Sequence, residues 1–201
     1  MRSFIQRWRT AILVAAAALM ALAIVLPLWG MTLVSIQYPE GLRMVVYPGR
    51  IAGDLAEINS LNRYIGMTPI SSDFFVELRL LPIAFGAVAA LIVAAAIVRT
   101  RWSPIVPLLG MATVAAYGFL AMRERLYQFG HDLDPTAPIT IEPFTPPMVG
   151  LNQIAQFASY TYFSWGTFLP IAAGVLVALV LWAGLPARGP ARAEARLALA
   201  A

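Results

Sequence analysis

The chain has no cysteine, no lysine and a single histidine, and only 12% of its 201 residues are charged, against about 25% in a soluble domain. Without cysteine there can be no disulfides, zinc–thiolate centres, iron–sulfur clusters or covalently attached haem. Because all fourteen bases are arginine, Schiff-base chemistry and lysine-dependent phosphate loops are excluded as well. The lone His131 cannot supply a bis-histidine haem. No internal repeat is visible, and so none of the inverted repeats from which secondary transporters are built. What the chain has in excess is apolar surface: 60% of its residues are hydrophobic, which makes a lipid bilayer its expected solvent.

Four apolar runs predict an all-α membrane protein, a bundle of four transmembrane helices at about 11–30, 79–98, 104–122 and 165–185, forming one membrane domain over 1–201. The first uncharged run, Ala11 to Trp29, is nineteen residues long. As a helix it would span roughly 28 Å, close to the thickness of a hydrocarbon core. It exceeds the core of a cleavable signal peptide, about 7–15 residues, and reads as a retained anchor. The interiors of the runs carry no ionisable side chain, which argues against a pump or proton-coupled transporter. Arg2, Arg7, Arg9, Arg99, Arg101, Arg188, Arg192 and Arg196 lie at the ends and the short middle turn with one acid, Glu194, giving +8 − 1 = +7. The long segments 31–78 and 123–164, with Arg79, carry six arginines and nine acids, or −3. The positive-inside rule then puts both termini in the cytoplasm and both long segments outside, as a small extracytoplasmic cap. The arginines read as topology markers beside anionic lipid, not as a nucleic-acid surface.

Within the first long segment, MTLVSIQY and RMVVY are strand-like, and YPEG between them suits a tight turn, so the cap is expected to hold a short β-hairpin with short helices. Asp54 is placed to cap a helix with Glu57 as its capping-box partner, and Gly66 to end it. Asn59 and Asn62 flank the apolar face of that helix, and Ser71 or Ser72 is expected to start the next. Gly150 to Tyr162 spaces Leu151, Ile154, Ala155 and Ala158 like one face of an amphipathic helix, with Asn152, Gln153, Gln156 and Ser159 opposite. The tail bearing Arg188, Arg192 and Arg196 is expected to be frayed.

Between two apolar runs lies LYQFGHDLDPTAPITIEPFTPPMVG, Leu126 to Gly150, with the only histidine and five of the fifteen prolines. His131, Asp132 and Asp134 admit two readings, a divalent-metal site or an Asx-type turn before Pro135. Tyr38, Glu40, Asn59, Asn62 and Tyr64 are the comparable polar set of the first segment, either partner-facing or bracing the cap. Met31, Met44, Met67 and Met148 fall outside or at the outer interface. Thioethers suit Cu(I), which makes His131, Met67 and Met44 a candidate copper set, yet no Met-x-Met or Met-x-x-Met spacing occurs and methionine also fills apolar gaps.

YPEGL at 38–42, INSLNRYIGM at 58–67, YQFGHDLDPTAPI at 127–139 and PPMVG at 146–150 together resemble a little-characterised family of small four-span bacterial membrane proteins associated with nitrous oxide reductase maturation and copper-chaperone genes. The resemblance implies an inner-membrane, non-enzymatic accessory or assembly protein that presents its cap to a periplasmic or membrane-bound respiratory or copper protein. A structural subunit of a larger respiratory complex is the alternative, ahead of a small transporter or enzyme. Where the family pattern has histidine, this chain has Arg63, and where it has asparagine, Asp132. The first departure removes a second histidine. Arg63 would then pair with Asp132 or Asp134 across the two outer segments.

Overall fold

The computed structural model describes residues 1–72, 75–154 and 156–186. The tail with Arg188, Arg192 and Arg196 lies outside the described residues, as does Ala155. In chain order the elements are α1 (Arg2–Arg7), α2 (Arg9–Ala23), β1 (Trp29–Val34), β2 (Leu42–Tyr47), β3 (Arg50–Gly53), α3 (Leu55–Tyr64), α4 (Val76–Val98), α5 (Ile105–His131), β4 (Gly150–Ile154), β5 (Phe157–Phe163) and α6 (Trp165–Gly184).

The all-α four-helix expectation is overturned by a five-stranded antiparallel sheet, ordered β3-β2-β1-β5-β4. Among the described residues three helices, α4, α5 and α6, are long and apolar enough to cross a membrane. The first apolar run does not stay helical: α2 stops at Ala23 after fifteen residues. Pro27 disfavours helix for the residue before it, and from Trp29 the run continues as β1, pairing with β2 on one side and β5 on the other. The segment read as an amphipathic helix is the hairpin β4–β5. Tyr160, Thr161, Tyr162 and Phe163 favour a pleated surface, and β1, far away in sequence, supplies the partner from Trp29↔Phe163 to Val34↔Ala158. The third expected span, 104–122, lies within a longer helix, since α5 runs to His131.

The hairpin expected around YPEG is β1–β2, with Met31 directly opposite Met44 and the turn held by Gly41 N–H donating to Tyr38 O at 3.1 Å. Asp54 stands at the start of α3 but makes no side-chain cap there; its Oδ2 accepts instead from Arg43 N–H at 2.8 Å, tying β2 to the helix start. Gly66, with φ +77, ends α3 as placed: Met67 N–H reaches Asn62 O at 2.9 Å and Gly66 N–H reaches Arg63 O at 3.4 Å, the paired bonds of a Schellman motif. Ser72 does not start a helix; its Oγ accepts from Ile51 N–H at 3.1 Å, and α4 begins after Phe75.

Two apolar cores follow. One joins α2, α4 and α6 through Leu13, Ala16, Met20, Val88, Ile92 and Val177; alanines on α2 let the helices approach closely. The other lies between the sheet, α3 and the outer end of α5, around Trp29, Leu33, Met44, Ile58, Leu61 and Phe129. Since β1 follows α2 and β5 leads into α6 after a single residue, Ser164, the cap is a direct continuation of the helices.

Candidate functional site, a cavity between sheet and helices

The stripe of α5 that faces the interior is Met111, Val114, Ala115, Gly118, Ala121 and Met122. Positions 111, 115, 118 and 122 share one helix face, and three of the six residues are alanine or glycine. Small side chains there do not fill the gap between α5 and α6, and a cavity of about 500 Å³ remains between them, beneath the sheet. The sheet contributes Trp29, Met31, Leu33, Met44, Val46 and Thr161 to its walls, and α6 contributes Thr167, Pro170 and Ile171. Tyr117, Phe119 and Ile171 line it and are still 53%, 57% and 58% exposed, so its mouth lies between α5 and α6, facing sideways.

Six of the eight methionines line this space: Met20, Met31, Met44, Met67, Met111 and Met122. Met111 and Met122 stand about 16 Å apart along α5 at 1.5 Å per residue, so the sulfurs cannot all converge on one ion. Met31 and Met44 are cross-strand partners and lie side by side on the sheet's inner face.

Polar groups on the walls are few. Asn62 is only 6% exposed, and its side-chain amide makes no hydrogen bond to any described residue. Asn59, three residues earlier, is fully engaged: its Nδ2 donates to Ile70 O at 2.8 Å and its Oδ1 accepts from Ile70 N–H at 2.7 Å. At the rim, Glu77 Oε1 pairs with Arg125 Nη2 at 2.8 Å; Arg125 Nη1 donates to Gln128 Oε1 at 3.1 Å, and Gln128 Nε2 to Glu124 Oε1 at 3.0 Å. Glu77 Oε2 is buried with no hydrogen-bond partner. Thr161 is 1% exposed, but its hydroxyl is spent within the cap, where it lies 3.1 Å from Pro147 O and 3.2 Å from Gly150 O.

The copper set read from the sequence is not gathered in one place. Met44 and Met67 line the cavity, whereas His131 ends α5 outside its walls, with Nδ1 3.0 Å from Tyr127 O and its ring stacked on Tyr127 at 3.8 Å. Among the described residues no group of three or more histidine, aspartate or glutamate side chains is placed to hold a metal. The HDLDP stretch forms the turn alternative: Asp134 Oδ1 accepts from Thr136 N–H at 2.8 Å and from Thr136 Oγ1 at 2.6 Å, which holds its exposed carboxyl below the usual aspartate range. Asp134 N–H then donates to Gly66 O at 2.8 Å and Ile139 N–H to Tyr64 O at 2.9 Å, docking one outer segment on the other through backbone. Arg63, exposed, pairs with neither Asp132 nor Asp134, both also exposed. Glu40 is exposed in its turn, and Tyr38 packs partly buried on the outer core.

The sequence reading named Asn62 but missed Trp29, Glu77, Arg125 and the α5 stripe. The spacing of Met111, Ala115, Gly118 and Met122, small residues between large ones on one apolar face, was the available signal. The three long helices make this a membrane protein. No protein-family model matches the chain, and no curated protein matches it in sequence. The likeness drawn above thus rests on its motif blocks alone.

Proposed function

We propose that this chain is a non-enzymatic accessory protein of the bacterial inner membrane that holds an apolar molecule, drawn from the bilayer, beneath a cap facing the periplasm. One observation carries the reading: a cavity of about 500 Å³ walled mostly by methionine, aromatic and aliphatic side chains and open between two helices long and apolar enough to cross a membrane. Small-molecule sites measure about 300–1,000 Å³ and are mostly apolar with a few polar groups. Methionine suits such walls because its unbranched side chain repacks around differing shapes. The arginines at the opposite end of the helices support the outward orientation of the cap.

The test is to purify the full chain from its native membrane in mild detergent and to identify co-purifying small molecules by mass spectrometry. A single apolar species at near one per chain is expected. The Gly118→Phe variant should lose it, because a side chain at 118 starts in open space on the cavity wall.

A second reading, Cu(I) handling, is favoured by Met31 standing opposite Met44 with Met67 on the same walls. It predicts Cu(I) retention against a chelator that is lost in Met31→Leu/Met44→Leu/Met67→Leu, a volume-conserving change. Equal retention in the triple variant rejects it.

A further inference from the structure

Resting on the ligand-holding reading above, we infer that the occupant is an amphipathic molecule with an uncharged head bearing carbonyl or hydroxyl oxygen, and that the amide of Asn62 receives this head. The Asn62 amide opens on the cavity, and an occupant that expels water from it without offering a hydrogen bond would cost about 1–3 kcal/mol. Asn62 is 6% exposed, faces the cavity and has no partner among the described residues, although Asn59 on the same helix is satisfied on both sides. A second unpaired acceptor, Glu77 Oε2, belongs to a residue on the same walls. The amide can donate to a carbonyl or accept from a hydroxyl, and the carboxylate oxygen can accept from a hydroxyl.

Charge excludes the ionic alternatives. Glu77 and Arg125 neutralise one another at 2.8 Å, so the walls offer a charged head no free counter-ion. An uncompensated charge in such a space is far costlier than a neutral dipole. A wholly apolar occupant would leave the Asn62 amide unanswered. The remaining walls are mostly methionine, aromatic and aliphatic; Ser159, Thr161 and Thr167 also line them, but their hydroxyls donate to backbone carbonyls. The mouth opens sideways between Tyr117, Phe119 and Ile171, so a tail has both a lining and a route into lipid. Neutral oxygen heads with apolar tails occur in two membrane sources, glycerolipids and quinones, which share the chemistry that Asn62 would recognise.

The test uses native mass spectrometry of the full chain in detergent, equilibrated with four probes: dioctanoylglycerol, a decyl-substituted benzoquinone, octylbenzene and decyl phosphate. At least one of the first two should bind at one per chain, and which one identifies the source. Octylbenzene and decyl phosphate should bind at least about tenfold more weakly. Asn62→Leu, with the same side-chain branching and no polar atom, should weaken the headed probe about tenfold and leave octylbenzene unchanged. Gly118→Phe, which keeps Asn62, should abolish headed-probe binding while eluting as a folded species, and keeps the test decisive if the Asn62 variant does not fold. The inference is overturned if octylbenzene or decyl phosphate matches the headed probes, if Asn62→Leu binds them as before, or if Gly118→Phe does. Failure of all four probes would instead remove the cavity as a ligand site, and the proposed function with it.

Discussion

Asn59 and Asn62 lie one helical turn apart on α3, and the structure uses them in opposite ways. Asn59 clamps both backbone groups of Ile70, which is 8% exposed, while Asn62 turns an unpaired amide to the cavity. Replacing Asn59 with alanine strands a buried N–H and a buried C=O and should destabilise the protein by about 2–4 kcal/mol. Asn62→Leu removes an unpaired polar group and should leave the empty protein equally or more stable. Thermal unfolding of both variants in detergent checks the contrast; a large loss in Asn62→Leu would mean that this amide braces the fold. Asp134 gives a pH expectation. Its carboxyl is held low by Thr136, so its contribution to the turn is fully present above the ordinary aspartate range of about 3.9 and disappears only as pH falls through the lowered value. Amide-exchange protection at Thr136 N–H, corrected for intrinsic rates, should therefore be flat from pH 8 to 5 and fall in stronger acid. In Asp134→Ala it should be low throughout.

At the level of elements, the β4–β5 hairpin marks where local pattern and tertiary partner disagree. Leu151, Ile154, Ala155 and Ala158 do match helical spacing, and nothing nearby in sequence announces that β1 waits more than a hundred residues upstream to pair with Ala158–Phe163. The β-branched and aromatic residues 160–163 carried the contrary signal, and it prevailed because strand propensity expresses packing on neighbours that only the fold supplies. The β1–β2 hairpin was legible because its turn residues, Pro39 and Gly41, sit between the strands. The same contrast holds in the motif blocks. Gly66 was legible as a helix end and Gly130 only as part of a motif block, yet both also permit close approach: a Cβ at Gly66 would crowd Asp134 O, and one at Gly130 would overlap the Phe144 carbonyl. Asn62 was legible as a flanking amide, whereas its cavity depends on a gap between α5 and α6 that no local window contains. Thr161 ties the hairpin to the preceding loop through Pro147 O and Gly150 O. Thr161→Val keeps the shape, removes the donor and should lower stability by about 1–2 kcal/mol; no change would show that those carbonyls find other donors.

Across the whole molecule, the two ends of the helices are chemically unlike. At one end Arg9, 6% exposed, closes the C-terminus of α4, donating to Ala95 O at 3.3 Å, Arg99 O at 3.1 Å, Thr100 O at 2.8 Å and Ser103 Oγ at 2.7 Å. Beside it Arg2 donates to Leu185 O at 3.3 Å and lies over Trp182 at 4.6 Å. Arg9 therefore has a structural task besides any role in orienting the chain: it satisfies carbonyls that no helical N–H can reach. At the other end the sheet, α3 and the Leu126–Gly150 stretch form the cap. In the proposed role the cap meets partners on whichever side it occupies, so orientation decides which compartment the cap faces. The absence of native cysteine allows a clean measurement. Thr140 lies exposed in the cap loop and Ser3 exposed near the arginine end. With a membrane-impermeant maleimide on intact spheroplasts, Thr140→Cys should label and Ser3→Cys should not, the pattern reversing in inverted vesicles. If Thr140→Cys labels only from inside, the arginines fail as topology markers and the cap faces the cytoplasm.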